Sequence, residues 1–228
     1  MTAADVPLIQ CMGICHTFGS GARTVAAVRD ATLQIAPGAR IALMGPSGSG
    51  KSTLLHLLAG LEKPTSGTIT GRAYSSDAVP QPHVTGMVFQ SSGLIAALDV
   101  LENVALPLIL AGASDGRARS LAHEALELLN LEALERKLPE ELSGGQAQRV
   151  AIARVLACRP RLILADEPTG QLDHVTALSV LDVLLRSADS LNAAVLVSTH
   201  DPLIAELLDE VWSMHDGVLK NSMERSLT

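Results

Sequence analysis

Nine consecutive residues near the start of the chain carry the glycines, lysine and hydroxyls that phosphate binding needs. Residues 45–53 fit the pattern G-x-x-x-x-G-K-[S/T], in which backbone N–H groups surround phosphate oxygens and the lysine adds a mobile positive charge. The hydroxyl after the lysine is the usual Mg²⁺ ligand, which is Ser52 in this chain. We therefore predict a nucleotide phosphate site formed by Gly45, Pro46, Ser47, Gly48, Ser49, Gly50, Lys51, Ser52 and Thr53.

The residues on either side of this segment predict the elements that must hold it. The apolar run at 41–44 is typical of a buried strand, and residues 54–59 have a helical pattern. A phosphate bound between them would lie at a helix N-terminus, where the helix dipole and free N–H groups favour an anion.

A second glycine-rich segment, Leu142 to Gln146, predicts a second anion site. Ser143 is a good N-cap for a helix over 144–157, and Gly144 and Gly145 leave backbone N–H donors open at the positive end of that helix.

Acidic and polar side chains follow three other apolar segments. Residues 162–165 run into Asp166 and Glu167, residues 86–89 into Gln90, and residues 195–197 into Ser198, Thr199 and His200. In open α/β sheets, ligands bind outside the carboxyl ends of parallel strands. We predict that Asp166 holds Mg²⁺ opposite Ser52, and that Glu167 accepts a proton from the attacking water or orients it. Alternatively, the two acids cap the following helix.

The order of these segments predicts an α/β core with an antiparallel flank. Helical patterns cover 117–129, 176–187 and 203–208, and short strands are predicted at 24–28, 31–35 and 65–70. Residues 90–142 are mostly helical.

Composition narrows the class of protein. The chain has 228 residues, 47% of them hydrophobic, and a net charge of −7. Its apolar stretches are short and interrupted, which predicts no membrane span, and no secretory signal is visible. The negative charge argues against a general nucleic-acid surface. The basic residues Arg149, Arg154, Arg159 and Arg161 are interpreted as a solvated or inter-subunit face.

Three cysteines do not make a disulfide framework and suit a reducing compartment. Cys11, Cys15 and His16 could suggest a metal site, but no second ligand pair follows them. We interpret Cys11, Cys15 and Cys158 as buried or half-buried thiols.

From residue 18 to about residue 219, the chain resembles the ATP-binding subunit of an ABC transporter, because residues 45–53 and 142–146 occur together. The resemblance implies a P-loop NTPase core with a mostly parallel sheet, an antiparallel β flank and a helical subdomain. We expect one ATPase domain over 1–228, with the subdomain at about 91–142. An ordinary small-molecule kinase would not explain residues 142–146.

The resemblance also implies roles for residues outside the phosphate loop. Ser143, Gly144, Gly145 and Gln146 would contact the γ-phosphate held by a second copy, so a homodimer would enclose two ATP molecules with Mg²⁺. Gln90 would reach the metal and the attacking water, and His200 the γ-phosphate. Asp173 would cross the dimer interface, although an N-cap role suits it equally. Phe18 would stack on adenine, or be an ordinary buried aromatic residue.

By resemblance, the partners are integral membrane permease subunits, and the ATPase would lie in the cytoplasm, on the inner face of the cell membrane. Residues 101–108 and 169–173 are similar to segments of the lipoprotein-releasing, macrolide-exporting and cell-division branch. The short connection between Gly71 and Gln90 is more like that of nitrate or sulfonate importers. We interpret the chain as the ATPase of an export or force-transmitting system, for which no nucleic-acid partner is expected. The alternatives are an importer ATPase and a soluble ATPase that acts on nucleic acid or ribosomes. The substrate is not encoded here.

Overall fold

The computed structural model describes residues 6–19, 24–74, 81 and 84–221. Within these residues, the chain forms nine β-strands and six α-helices. The strands are β1 Ile9–Phe18, β2 Val25–Ile35, β3 Arg40–Met44, β4 Ser66–Thr70, β5 Thr85–Val88, β6 Leu162–Asp166, β7 Ala194–Thr199, β8 Glu210–His215 and β9 Val218–Lys220. The helices are α1 Lys51–Ala59, α2 Val100–Leu110, α3 Asp115–Leu128, α4 Gly144–Leu156, α5 His174–Leu191 and α6 Pro202–Ala205. Two short 3₁₀ helices, Glu132–Leu134 and Pro139–Glu141, precede α4.

The strands form one mixed sheet in the order β4-β1-β2-β9-β8-β3-β7-β6-β5. Strand β3 pairs in parallel with β7 and β8, and β6 pairs in parallel with β5 and β7. Strands β1, β2 and β4 pair antiparallel at one end of the sheet. The predicted α/β architecture with a parallel centre and an antiparallel flank is therefore confirmed.

The central strands are buried on both faces. In β7, Ala194 and Leu196 lie in one apolar cluster with the leucines of α1, whereas Val195 and Val197 lie in a second cluster with α4 and α5. Alternate side chains of β3 and β6 divide between the same two clusters. Packing on both faces explains why these strands read as continuous apolar runs.

The segment between β5 and α4 contains α2 and α3, as the helical pattern predicted. Helix α2 begins with a capping box in which the Asp99 side chain accepts from the Glu102 N–H at 2.8 Å. Apolar residues of α2 and α3 belong to the same cluster as α4 and α5. No helix in the described ranges is both long and apolar enough to cross a bilayer.

Two predicted details of the fold were wrong. The strands predicted at 24–28 and 31–35 are one strand, β2, which continues through Asp30 at a φ of 47°. The charged residues Arg29 and Asp30 interrupt the apolar pattern and coincide with a shift in register, but the pairing with β1 continues on both sides of them, at Val28 and Ala31. Helix α6 is only four residues long rather than spanning 203–208.

Strands β1, β8 and β9 were not predicted. In β1, the bulges around Gly13 break the alternation of apolar and polar residues. Cys11 is fully buried, which raises the pKa of its thiol to about 12 through desolvation, and Cys15 and Cys158 are half-buried. The interpretation of all three as buried or half-buried thiols is confirmed.

Candidate functional site

The predicted phosphate loop connects the central strand β3 to the first residue of α1. It lies so close to neighbouring strands that side chains would not fit at two of its glycines. A Cβ on Gly45 would lie 2.2 Å from the Met214 carbonyl oxygen, and one on Gly50 would lie 2.1 Å from the Ala27 carbonyl oxygen. Gly50 also has a φ of +105°, which side chains disfavour. The backbone N–H groups of Gly48 and Gly50 donate to no backbone carbonyl among the described residues, so they stay open to a ligand.

Lys51 is buried at the bottom of this loop. Its Nζ donates to the Gly45 carbonyl at 2.8 Å and to the Pro46 carbonyl at 3.1 Å, and it lies 3.5 Å from Glu167 Oε1. A buried ammonium held by carbonyls and one carboxylate can turn to an incoming phosphate without moving its backbone.

Ser49 provides a test of whether a phosphate fits here. Its Oγ is buried and, among the described residues, has no hydrogen-bond partner. A buried hydroxyl without a partner is uncommon, and an anion bound in the loop would supply one. Together with Lys51 and the open N–H groups, Ser49 fits the triphosphate of ATP, and the oxygen ligands Ser52 and Asp166 fit Mg²⁺.

A cavity of about 580 Å³ opens over the loop. This volume lies within the range of small-molecule sites. Its walls come from four parts of the fold: β2, the phosphate loop with α1, the strand ends of β5 and β6, and the turn between β8 and β9. The lining residues are Val25, Ala26, Ala27, Arg29, Ser47, Gly48, Gly50, Lys51, Ser52, Thr53, Gln90, Glu167, Asp216 and Gly217.

The two acids after β6 are linked through a serine at the end of β7. Ser198 Oγ donates to Asp166 Oδ1 at 2.7 Å and accepts from the Glu167 N–H at 2.9 Å. Glu167 itself has a left-handed backbone, with a φ of 43°. The Glu167 carboxylate lies close to Lys51, with Oε1 3.5 Å from Nζ.

Gln90 and His200 both lie near the Glu167 carboxylate. His200 Nδ1 is 3.5 Å from Glu167 Oε2. A Cβ added to Gly170 would lie 3.3 Å from Glu167 Oε2 and 3.4 Å from Gln90 Nε2, so Gly170 keeps this space open. The structure therefore brings together the polar ends of β5, β6 and β7, as parallel strand order predicted.

The glycine-rich segment before α4 lies outside the cavity. Ser143 Oγ accepts from the Gln146 N–H at 3.3 Å, and Gln146 Oε1 accepts from the Ser143 N–H at 2.9 Å. The predicted N-cap is thus confirmed, as a capping box. Gly144 is exposed. None of Ser143, Gly144, Gly145 and Gln146 lines the space over the phosphate loop of the same chain.

Asp173 is the N-cap of α5. Its side chain accepts from the Thr176 N–H at 3.1 Å and from the Thr176 hydroxyl at 2.6 Å, and these bonds lower the pKa of Asp173 below its ordinary value. A Cβ on Gly145 would lie 2.5 Å from Thr176 Cγ2, so the starts of α4 and α5 are packed together.

Phe18 lies beside the cavity but is not among its lining residues. It is 46% exposed and packs edge-on against His16, with ring centroids 4.6 Å apart. Its pairing partner on β2, Val25, does line the cavity. Phe18 is thus partly exposed and pairs with a residue that lines the cavity.

Helix α4 holds the loop that carries Gln90. Gln148 Nε2 donates to the Phe89 carbonyl at 3.0 Å. The Arg154 guanidinium donates to the Ser92 carbonyl at 2.8 Å and the Gly93 carbonyl at 2.9 Å, and burial lowers its pKa. Arg154 therefore differs from the solvated residue that we expected.

Sequence reasoning missed several residues of the site. Ser198 was seen at a strand end but given no role. Val25 and Ala27 were assigned only to a flanking strand, and Arg29 to no element. The turn at Asp216 and Gly217 carried a usable signal, since Asp-Gly between two short alternating runs is typical of a tight hairpin.

Comparisons with known proteins agree with this geometry. The model of a family described as "ABC transporter" matches residues 28–170. Over 210 residues the chain is 43% identical to the lipoprotein-releasing system ATP-binding protein LolD of Legionella pneumophila, covering 89% of this chain and 92% of that protein. It is 39% identical over 226 residues to LolD of Bordetella pertussis, covering 94% and 96% of the two chains. A solved dimeric structure of the ATP-binding cassette MJ0796 bound to ADP and Pi superimposes with a TM-score of 0.81 at 35% identity, covering 93% of this chain and 98% of that one.

Proposed function

Because the chain belongs to the ABC transporter family of ATP-binding proteins, we propose that this ATPase, which uses ATP and Mg²⁺, is the motor subunit of a membrane system and drives a separate permease. The observation that carries this proposal is the cavity over the phosphate loop, in which Lys51 and Glu167 face each other at 3.5 Å.

In the proposed reaction, the phosphate loop binds the triphosphate through its backbone N–H groups and Lys51. Lys51 exchanges the carbonyls of Gly45 and Pro46 for phosphate oxygens, and Ser49 Oγ gains a partner. Ser52, Asp166 and Gln90 would hold Mg²⁺, which when bound neutralises charge on the β- and γ-phosphates. Phe18 would stack on the adenine ring.

Glu167 would then orient the attacking water and accept its proton. His200 lies on the other side of the Glu167 carboxylate from Lys51 and would contact the γ-phosphate. Positioning and electrostatic stabilisation by these fixed groups are what phosphoryl transfer requires of a protein.

We further propose that the working unit is a homodimer. Ser143, Gly144 and Gly145 present an anion-binding helix N-terminus, yet they lie outside the cavity of their own chain. A second copy, docked face to face, would bring this end of α4 to the γ-phosphate and Asp173 to the interface. The similarity to the dimeric MJ0796 cassette supports this arrangement.

The similarity to LolD proteins supports a release or force-transmission role rather than import. The single ATPase domain that we propose for 1–228, with a helical subdomain at about 91–142, would sit at the inner face of the cell membrane through the permease. A role on nucleic acid or ribosomes is less well supported, since the net charge is −7.

The test of the permease proposal is co-purification. We expect affinity-tagged chain, extracted from membranes of its own cells in mild detergent, to bring down an integral membrane protein in stoichiometric amount. Nuclease-treated and untreated samples are compared in parallel. The proposal is contradicted if ribosomal proteins or nucleic acid are recovered instead of a membrane protein.

The Asp173 cap gives a stability prediction that separates its two roles. Asp173→Ala should lower the free energy of unfolding, whereas Asp173→Asn should largely retain it, because both Asp and Asn are good N-caps. Hydrogen bonds from Thr176 lower the pKa of Asp173 in the folded protein. The ionised carboxylate therefore stabilises the fold fully above the ordinary aspartate pKa, and this stabilisation is lost as the pH falls through the lower pKa of the folded state. Urea unfolding from pH 7 down to acid pH measures both effects.

If Asp173 also acts across the dimer interface, Asp173→Asn should impair ATP turnover although its fold is intact. Equal stability losses for the Asn and Ala variants would mean that the cap geometry is not what stabilises α5.

A further inference from the structure

Among the residues that the structure describes, Ser198 is the fully buried polar residue that contacts both acids of the site. It lies at the carboxyl end of β7, between β3 and β6, opposite Leu43 on one side and Asp166 on the other. Its side chain is 0% exposed. A hydroxyl in this position cannot exchange its partners with solvent, so its two hydrogen bonds are fixed parts of the site.

The direction of each hydrogen bond follows from the donors available. The Glu167 N–H can only donate, so at 2.9 Å the Ser198 hydroxyl oxygen accepts from it. The single hydroxyl proton is then free to point at Asp166 Oδ1, 2.7 Å away. Asp166 Oδ1 is therefore the acceptor of this bond, which fixes the rotation of the Asp166 carboxylate.

The same contacts hold the backbone of Glu167. Its N–H is shared between the Ser198 hydroxyl and the Ser198 carbonyl, the latter at 3.2 Å. A left-handed backbone is unfavourable for glutamate and persists only where its surroundings enforce it. This conformation turns the chain out of β6 and places the Glu167 carboxylate between Lys51 and His200.

We propose that Ser198 is a positioning residue for the ATPase reaction: through one hydroxyl it orients the Asp166 carboxylate toward the metal and fixes the direction of Glu167. The proposal rests on the proposed roles of Asp166 and Glu167. Ser198 acts through them and touches neither nucleotide nor metal.

The proposal predicts a specific defect for Ser198→Ala. Losing an outer hydrogen bond to a metal-binding carboxylate typically weakens metal binding or activity by about 10-fold or more. We expect kcat to fall by about that factor and the Mn²⁺ affinity of the protein with a non-hydrolysable ATP analogue to weaken by several-fold. Binding of the nucleotide in EDTA should be unchanged, because the phosphate loop is untouched.

The matched control is Ser187→Ala. Ser187 is also a buried serine, 5% exposed, but it lies on α5 and does not line the cavity over the phosphate loop. We expect this variant to match the parent in kcat and in Mn²⁺ affinity.

Mn²⁺ binding is measured by electron paramagnetic resonance and turnover by phosphate release, with thermal unfolding recorded for each variant. The proposal is overturned if Ser198→Ala stays within about twofold of Ser187→Ala in both kcat and Mn²⁺ affinity. It is equally overturned if nucleotide binding in EDTA falls in parallel with the unfolding temperature, which would indicate a purely structural role. A parent protein without ATPase activity would instead contradict the proposed function itself.

Discussion

Glu167→Gln is expected to stop ATP turnover while leaving ATP binding intact. Glutamine has nearly the shape of glutamate, but its amide cannot accept a proton from water. General-base catalysis contributes about 10²- to 10⁴-fold to an enzymatic rate, so a loss in turnover of at least about 10²-fold should follow. The Lys51 contacts with Gly45 and Pro46 do not depend on the acid, and the phosphate loop therefore stays intact.

Phosphate release measures turnover, and titration with a fluorescent ATP analogue measures binding. Glu206→Gln is the control, because Glu206 is exposed and lies outside the site. Hydrolysis by Glu167→Gln at the parental rate would show that another group activates the water.

Lys51→Met is expected to lose both ATP binding and hydrolysis. The methionine keeps an apolar stem in the buried position but removes the charge that would meet the β- and γ-phosphates. A charge-assisted hydrogen bond is several times stronger in a buried site than in water. We therefore expect the affinity for ATP to fall by about 10²-fold. Lys51→Arg should not restore it, because the guanidinium is larger and planar and the loop holds Nζ between two carbonyls.

Lys63→Met controls for loss of a positive charge elsewhere, since Lys63 is exposed. Thermal unfolding without nucleotide should show that Lys51→Met is folded. Parental ATP affinity in this variant would contradict the assignment of the cavity over residues 45–53 as the triphosphate site.

The parallel centre of the fold could be predicted because its signals are local. Residues 41–44 and 162–165 are apolar runs; the first leads into the glycine-rich loop, and the second into Asp166, which cannot be buried without a partner. The antiparallel flank was harder to predict because its strands are defined by pairing between residues that are distant in sequence. Strand β1 bulges around Gly13, and Asp30 has a left-handed backbone in the middle of β2. Neither deviation can be read from hydrophobic period alone.

The candidate site likewise contains residues that local motifs predict and residues that only the folded arrangement brings together. Lys51, Asp166 and Glu167 belong to short motifs in which residue type and spacing carry the chemistry. Ser198 belongs to no such motif, and its importance depends on the register that places it opposite Asp166. Arg154 was interpreted from its charge, whereas its side chain donates to the carbonyls of Ser92 and Gly93, which lie far away in the sequence.

If two copies close around ATP, light scattering of Glu167→Gln after size exclusion will detect the closed dimer. We expect a monomer without nucleotide and a dimer with ATP and Mg²⁺. Adding Gly144→Glu should abolish the dimer but not ATP binding. Gly144 is exposed, a Cβ there would meet only Leu172 at 3.6 Å, and an acid in the first turn suits the helix while repelling phosphate. If Glu167→Gln stays a monomer with ATP bound, or dimerises equally well with Gly144→Glu present, the shared site is contradicted.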